Sequence, residues 1–262
     1  MNTGSSTTGS ETPLVSISID DGIATITLDS PHNRNALSRQ LVRELSHCID
    51  EAEAADARAI VLRHEGPAFC AGADLKERAQ GSDESDSVPF PNIMARLMDT
   101  PRPTIAAVDG AVRAGGIGLM ASCDLIVVNE RVDFALTEVR IGVAIAMISV
   151  PILRRVPASR LAAALYTGES FDAKTALDIG LVTHVTDDVS QTVARLLEGI
   201  RAGAPRAVAE TKRILQLVPT LERDEAFRRM TKLSTEMFNS PDAAEGMAAF
   251  REKRLPAWNP NA

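Results

Sequence analysis

Along residues 14–29, "LVSISIDDGIATITLD", apolar and polar side chains alternate on both sides of Asp21-Gly22. Alternation with period two, broken by an Asp-Gly pair, predicts two strands joined by a tight hairpin turn. The period then lengthens. In residues 38–54, "SRQLVRELSHCIDEAEA", Leu41, Leu45, Cys48, Ile49 and Ala52 share one helical stripe, and Ser38 stands where an N-cap hydroxyl belongs. A short apolar run, "RAIVLRH", predicts another strand, ended by Gly66-Pro67. Next comes "AFCAGADLKE", residues 68–77: an apolar run, three residues with almost no side chain, and then the charged opening of a helix. Residues 104–124, "TIAAVDGAVRAGGIGLMASCD", repeat that order of strand, small-residue turn and short helix.

Between these two stretches, "GSDESDSVPFP" is acidic and rich in Ser and Pro, which predicts a mobile surface loop. "NIMARLMDT" predicts a helix closed by Pro101 and Pro103, and "DLIVVNE" and "DFALTEV" read as strands. From about residue 158 onward the pattern is helical. Strands early, helices late and a recurring strand-strand-helix unit together predict an α/β fold. The expected division is a flexible tail over 1–12, a core over 13–200 and a helical region over 201–262.

Composition narrows the class. A chain of 262 residues, 45% hydrophobic and 24% charged, has enough apolar material for one large buried core. No apolar run reaches the ~18 residues of a membrane span, and 141–153 is interrupted by Ser149 and Pro151. The opening "MNTGSSTTGSETP" lacks the basic segment and apolar core of a secretory signal, so a cytoplasmic protein without a membrane partner is expected. A net charge of −7 argues against a nucleic-acid surface, yet leaves room for a small anion held by a few local cations. Cys48, Cys70 and Cys123 are odd in number and show no CxxC spacing, which predicts reduced, buried thiols. His32, His47, His64 and His184 are scattered without ligand spacing, so no metal is expected.

The two small-residue turns carry the candidate chemistry. A helix N-terminus offers N–H groups without intrahelical partners, and Gly and Ala leave them open to a ligand. If Ala73 opens one helix and Gly115 another, and the sheet brings them together, one carbonyl oxygen can accept from both. That is an oxyanion hole, suited to an enolate or a tetrahedral intermediate. Such turns also occur as plain topology. Residues 116–121 match the dinucleotide pattern G-x-G-x-x-A, with Glu138 about 20 residues on as an acidic ribose ligand should be. Against that reading, residues 110–114 separate the strand from the first glycine, and the helix is too short. A nicotinamide oxidoreductase is therefore a distant alternative.

Taken in order, "AFCAGADLKE", "PTIAAVDGAVRAGGIGLMASCDLIV", "FALTEVRIGV", "TGESFDAKTALDIGLV" and "EGMAAFREKR" resemble the successive signatures of the crotonase family, the enoyl-CoA hydratase/isomerase superfamily. The resemblance runs from about residue 14 to the C-terminus. It implies a crotonase-like spiral of strand-strand-helix units, a helical C-terminal region that builds a homotrimer or hexamer, and an acyl-CoA thioester as substrate. Coenzyme A is then part of the substrate, with no separate cofactor. The Ala73 and Gly115 amides would polarise the thioester carbonyl and hold its enolate.

Carried over position by position, Glu138 matches the family's second catalytic glutamate, while the first falls on Gly118. A single carboxylate must then both activate water and protonate the α-carbon, or merely shuttle a proton. Read from its neighbours alone, without that motif, Glu138 is more readily a solvated salt-bridge partner of Arg140 than a catalytic group. Ala114 replaces the first glycine of the usual triple run, and Ile145 stands where many members carry proline. The resemblance places Arg34, Ala36, Ala71 and Lys76 against the coenzyme, with Phe250 and Lys253 reaching it from a neighbouring subunit. Leu75, Gly118, Met120, Val143 and Met147 are candidates for the acyl pocket. The implied activity is hydration of a 2-enoyl-CoA, with Δ3,Δ2-enoyl-CoA isomerisation, or acyl-CoA binding with little catalysis, as alternatives.

Overall fold

The computed structural model describes residues 12–79 and 88–262. The chain opens with the hairpin β1 (Val15–Asp20) and β2 (Ile23–Leu28), antiparallel with Asp20 opposite Ile23. Asp21 and Gly22 both take positive φ, 52° and 74°, the backbone a two-residue hairpin turn of matching twist requires. Helix α1 (Arg39–Ala54) follows, with the Ser38 side chain accepting from Leu41 N–H as its N-cap. Its stripe of Leu41, Val42, Leu45, Cys48, Ile49 and Ala52 is buried. At roughly 1.5–3 kcal/mol per large apolar side chain, that burial rather than intrinsic propensity holds the helix in place.

Three successive strand pairs then build the frame. They are β3 (Ala59–His64) with β4 (Ala68–Cys70), followed by α2 (Leu75–Ala79) and α3 (Phe90–Asp99); β5 (Thr104–Val108) with β6 (Ala111–Arg113), followed by α4 (Gly115–Ala121); and β7 (Leu125–Asn129) with β8 (Asp133–Ala135). The chain continues through α5 (Ser149–Arg155), α6 (Ala158–Thr167), β9 (Ser170–Asp172), α7 (Ala173–Asp178), β10 (His184–Thr186) and α8 (Val189–Ala202). It ends in α9 (Pro205–Leu217), α10 (Arg223–Phe238) and α11 (Pro241–Glu252).

In each pair the first strand joins a six-stranded sheet of order β1-β2-β3-β5-β7-β10, and the second joins a four-stranded sheet of order β4-β6-β8-β9. This alternation between sheets is the expected spiral. The large sheet is parallel from β2 to β10 and buried on both faces. Ile60, Leu62, Ala106, Val108, Ile126 and Val128 point into the main core, while Ala59, Val61, Ile105, Ala107 and Val127 meet Val189 and Val193 of α8 on the other side. Burial on both faces is why these strands read as continuous apolar runs rather than alternating ones.

Several sequence expectations shift in detail. The strand expected over 133–139 stops at Ala135, and Glu138–Ile141 forms a 3-10 turn. Most of the acidic loop expected over 81–91, and most of the expected N-terminal tail, lie outside the described residues. Phe90 and Pro91, expected in that loop, instead open α3.

Candidate active site

Strands β4, β6 and β8 run parallel, so their C-terminal ends leave the small sheet at one edge. The register sets Cys70 beside Val112 and Val112 beside Phe134. Ala73 lies three residues past Cys70, Gly115 three past Val112, and Glu138 four past Phe134. Three residues far apart in sequence thus follow strand ends on the same edge of the small sheet, the edge where ligands of parallel sheets bind.

The two small-residue turns touch. Gly72 has φ +88°, a conformation that side chains other than glycine rarely adopt; a methyl there would lie 2.8 Å from Ala114 Cβ and 3.3 Å from Gly115 N. A methyl on Gly115 would in turn lie 3.8 Å from Ala73 N and 2.8 Å from Leu37 Cδ1. The Ala73 and Gly115 amides therefore sit side by side, with Leu37 over them. A methyl on Gly116 would lie 2.7 Å from Cys70 O, so α4 presses directly on β4. Ala114, at φ 49°, donates its N–H to Ala135 O over 3.0 Å, tying this turn to β8.

Gly115 is the first residue of α4, and its N–H has no acceptor within that helix. Ala73 departs from expectation because it does not open a helix. It pairs with Leu37 in an isolated parallel bridge, and α2 begins two residues later. The Asp74 carboxylate caps α2 by accepting from Lys76 and Glu77 N–H at 3.0 and 3.2 Å. One donor of the pair thus comes from a helix end and the other from extended backbone.

Glu138 begins the 3-10 turn, half-buried, and among the described residues its Oε2 is buried without a hydrogen-bond partner. Burial raises its pKa above the ordinary carboxylate value, with its own backbone N–H offsetting part of the rise. The salt bridge with Arg140 is not formed: Arg140 turns away and donates Nε–H to Thr167 O at 3.0 Å, at the end of α6. Arg140 anchors the turn that carries Glu138 and leaves the carboxylate unneutralised. A carboxylate that burial makes proton-hungry is suited to moving a proton to or from carbon.

The pocket candidates divide. Gly118 and Met120 are buried in the core, Met120 fully, so neither offers surface to a ligand, in contrast to expectation. A methyl on Gly118 would lie 2.5 Å from Ile148 Cβ, so Ile148 fills the space a side chain at 118 would need. Leu75, Val143 and Met147 are exposed at 57%, 50% and 45%, three apolar side chains uncovered in this single chain.

The coenzyme candidates also divide. Arg34 O accepts from Ala71 N–H at 3.0 Å and Gly72 O from Leu37 N–H at 2.8 Å, so the loop bearing Arg34 and Ala36 runs beside the Ala71–Ala73 turn. Arg34 and Lys76 are exposed there, while Ala36 is buried. Sequence reasoning missed Asn35, which is buried and left-handed and holds this loop in place. Its Oδ1 accepts from Ser30 N–H at 2.6 Å, and its Nδ2 donates to Glu65 O and Ala68 O at 3.0 and 2.9 Å. A polar residue wedged in "NRNAL" was its only signal. Phe250, 88% exposed, and Lys253 lie on and just after α11. Two surface cavities, of about 430 and 650 Å³, lie elsewhere, around Arg58, Arg102 and Arg206 and around Asn92 and Arg96.

Comparison with known proteins identifies the family. Residues 18–261 match the family model for enoyl-CoA hydratase/isomerase. The chain is 32% identical over 257 residues to the enoyl-CoA hydratase domain-containing protein 3, mitochondrial, of Rattus norvegicus, covering 95% of this chain and 86% of that one. It is 32% identical over 242 residues to enoyl-CoA hydratase EchA19 of Mycobacterium tuberculosis, covering 88% and 91%. The crystal structure of an enoyl-CoA hydratase of Mycobacterium smegmatis superposes with a TM-score of 0.85 at 30% identity, covering 94% of this chain and 99% of that one. The chain belongs to the enoyl-CoA hydratase/isomerase family.

Proposed function

We propose that the protein adds water across the double bond of a 2-enoyl-CoA thioester, with the Ala73 and Gly115 amides holding the enolate oxygen and Glu138 as the single acid and base. One observation supports this: β4, β6 and β8 run parallel, so the segments bearing Ala73, Gly115 and the half-buried Glu138, whose Oε2 has no partner among the described residues, all follow strand ends on one edge of the small sheet. The relatives' names, enoyl-CoA hydratase, point the same way.

In the step proposed, the Glu138 carboxylate takes a proton from water while the water oxygen bonds to C3. The C2–C3 π electrons move toward the thioester carbonyl, whose oxygen becomes the enolate between the two N–H groups. Glu138 then returns the proton to C2. Each donor is worth about 3–4 kcal/mol in such a transition state. Arg34 and Lys76 would face the coenzyme phosphates, Ala36 and Ala71 would line the backbone path for the adenine, and Leu75, Val143 and Met147 would line the acyl path. Phe250 and Lys253 would reach a neighbouring subunit's coenzyme in a homotrimer or hexamer. The exposure of Phe227, Phe238 and Phe250, at 68%, 69% and 88%, supports such an assembly.

A second reading, isomerisation of a 3-enoyl-CoA to the 2-enoyl-CoA, is favoured by Ile148, which stands where a second carboxylate would project. A panel of enoyl-CoA esters assayed by mass spectrometry separates the two, since hydration adds the mass of water and isomerisation adds none. Glu138→Gln is expected to cut turnover about 10²–10⁴-fold while leaving acyl-CoA affinity nearly intact. Undiminished turnover in that variant refutes the assignment.

A further inference from the structure

We infer that the chain binds a diphosphate, free or as the diphosphate of a nucleotide, in the arginine-lined cavity where β3 and β5 begin and α8 passes into α9. This site is separate from the acyl-CoA reading and does not depend on it. The cavity, about 430 Å³, is bounded by the loops before β3 and β5, whereas Ala73 and Gly115 follow strands at their C-terminal ends. Pockets for small molecules run from about 300 Å³ upward, so its size suits such a ligand.

Three guanidinium groups and one carboxylate line it: those of Arg58, Arg102, Arg206 and Asp56. Backbone contacts fix two of the cations at one joint. Arg58 donates Nη1–H to Trp258 O at 2.8 Å and Nη2–H to Gly203 O at 2.5 Å, next to the start of α9. Arg102 donates Nε–H to Ala57 O at 3.0 Å, and its Nη2 pairs with the Asp56 carboxylate. Carbonyls orient a guanidinium without cancelling its charge. The third cation, Arg206, is exposed and has no hydrogen-bond or ion-pair partner among the described residues. Burial, and after it the charge of Arg201, lowers the Arg58 pKa, as expected of a cation short of counter-charge. In a chain of net charge −7, a cavity with three cations to one carboxylate is a local reversal of sign.

The frame around these charges is stiff. Pro101, Pro103 and Pro205 line the cavity, each with φ fixed by its ring. Pro205 opens α9 and Ala204 provides no side-chain cap, so the Arg206 and Ala207 amides precede the first internal bond of the helix, Val208 N–H to Ala204 O at 3.0 Å. The helix end therefore adds to the field of the arginines. Guanidinium forks match phosphate oxygens in pairs. A diphosphate has the charge and the oxygens to meet three of them; a single carboxylate does not.

Isothermal titration calorimetry of the full chain at low ionic strength tests this, with inorganic pyrophosphate and ADP as probes. Arg206→Glu reverses the exposed charge at a helix start that tolerates acidic residues, and is expected to weaken both probes about tenfold or more. Asp56→Asn, at φ 52° where asparagine is at ease, removes the carboxylate and should tighten both about twofold or more. Arg34→Ala combined with Lys76→Ala, at the turns proposed for the coenzyme, should leave pyrophosphate affinity unchanged. ADP bound more tightly than pyrophosphate points to a nucleotide as the source, and the reverse to a free diphosphate; either supports the site. Absence of binding by wild type, an affinity indifferent to Arg206→Glu or weakened by Asp56→Asn, or one lost with Arg34 and Lys76 instead, overturns it. Should Arg206→Glu fail to fold, Arg206→Ala decides: a loss of about threefold or more supports the site, and an unchanged affinity refutes it.

Discussion

Replacing Glu138 by Gln tests whether the site stores the cost of a desolvated carboxylate. Its Oε2 is buried without a partner among the described residues, and burial raises the folded-state pKa. The folded chain therefore holds the carboxyl proton more tightly than the unfolded chain does. The stabilisation this group contributes is fully present in acid, below the unfolded pKa, and is lost as the pH rises through the folded value. At neutral pH the ionised group is a liability. A buried polar group without a partner costs about 1–3 kcal/mol, and the partial exposure of this side chain reduces that to about 1 kcal/mol. In a chain of this length, ~1 kcal/mol moves the melting temperature by roughly 2 °C. Gln keeps the shape and drops the charge. Thermal melts followed by circular dichroism from pH 4 to 8 should show the variant melting roughly 2 °C higher at pH 7, with the gain fading toward about pH 4. A variant that melts lower at neutral pH, or a gap that ignores pH, refutes the reasoning by revealing an unrecognised partner for the carboxylate.

Three further outcomes follow from the packing. Gly116→Ala puts a methyl 2.7 Å from Cys70 O, a backbone atom that cannot yield, so α4 must shift and carry the Gly115 amide with it. Turnover should fall about tenfold or more with a stability loss of about 1–3 kcal/mol, and full activity would mean that the placement of α4 does not matter. Lys212→Met removes a 6% exposed ammonium that pairs with Asp124 at 2.8 Å and donates to Leu97 O and Arg102 O at 3.0 Å each, tying α9 to the core. Urea unfolding should register a loss of about 2–4 kcal/mol, and a loss near zero would sink the claim that this cluster anchors α9. Burial pushes the Cys70 and Cys123 thiols up to about 12 and the Cys48 thiol up to about 11. At pH 8 a thiol reagent should therefore leave the native chain unmodified while the denatured chain takes up three equivalents; rapid native labelling would show that these interiors open readily.

The frame was legible because it is written in periodicities. The Asp21-Gly22 hairpin, the stripe of α1 with its Ser38 cap and the apolar strands of the large sheet follow from alternation, helical spacing and burial on both faces. The pairing of the two small-residue turns was legible only as a condition, since sequence shows that Ala73 and Gly115 are free of obstructing side chains but not that β4 and β6 are neighbours. Other features were beyond its reach. The capping of α2 by Asp74, which leaves Ala73 in extended backbone, depends on a local competition that letter patterns do not resolve. Arg140 stands two positions from Glu138 and looked like its partner, but the carbonyl of Thr167, 27 residues on, holds it instead. Met120 carries no mark that separates a pocket wall from a core filler, and the three-dimensional packing makes it core.

The contrast between the amides and Ile148 bears on how such a frame changes its chemistry. The two amides proposed to hold the enolate are main chain, fixed by strand register and by close approaches at Gly72, Gly115 and Gly116. Altering them disturbs the sheet. The proposed acid and base, Glu138, is instead a side chain on a turn held by Arg140, and Ile148 at the head of α5 covers Gly118. These can vary without touching the register. Gly118 and Ile148 cannot vary independently, however, because any side chain at 118 meets Ile148 Cβ, which even alanine retains. Introducing a carboxylate at 118 requires glycine at 148 or a displaced α5. Gly118→Glu alone should therefore destabilise the chain by about 1–3 kcal/mol, the overpacking cost, and add no hydration. Gly118→Glu combined with Ile148→Gly should recover part of that stability in a urea titration. A single variant as stable as wild type would mean that α5 moves aside freely, and that Ile148 fixes nothing.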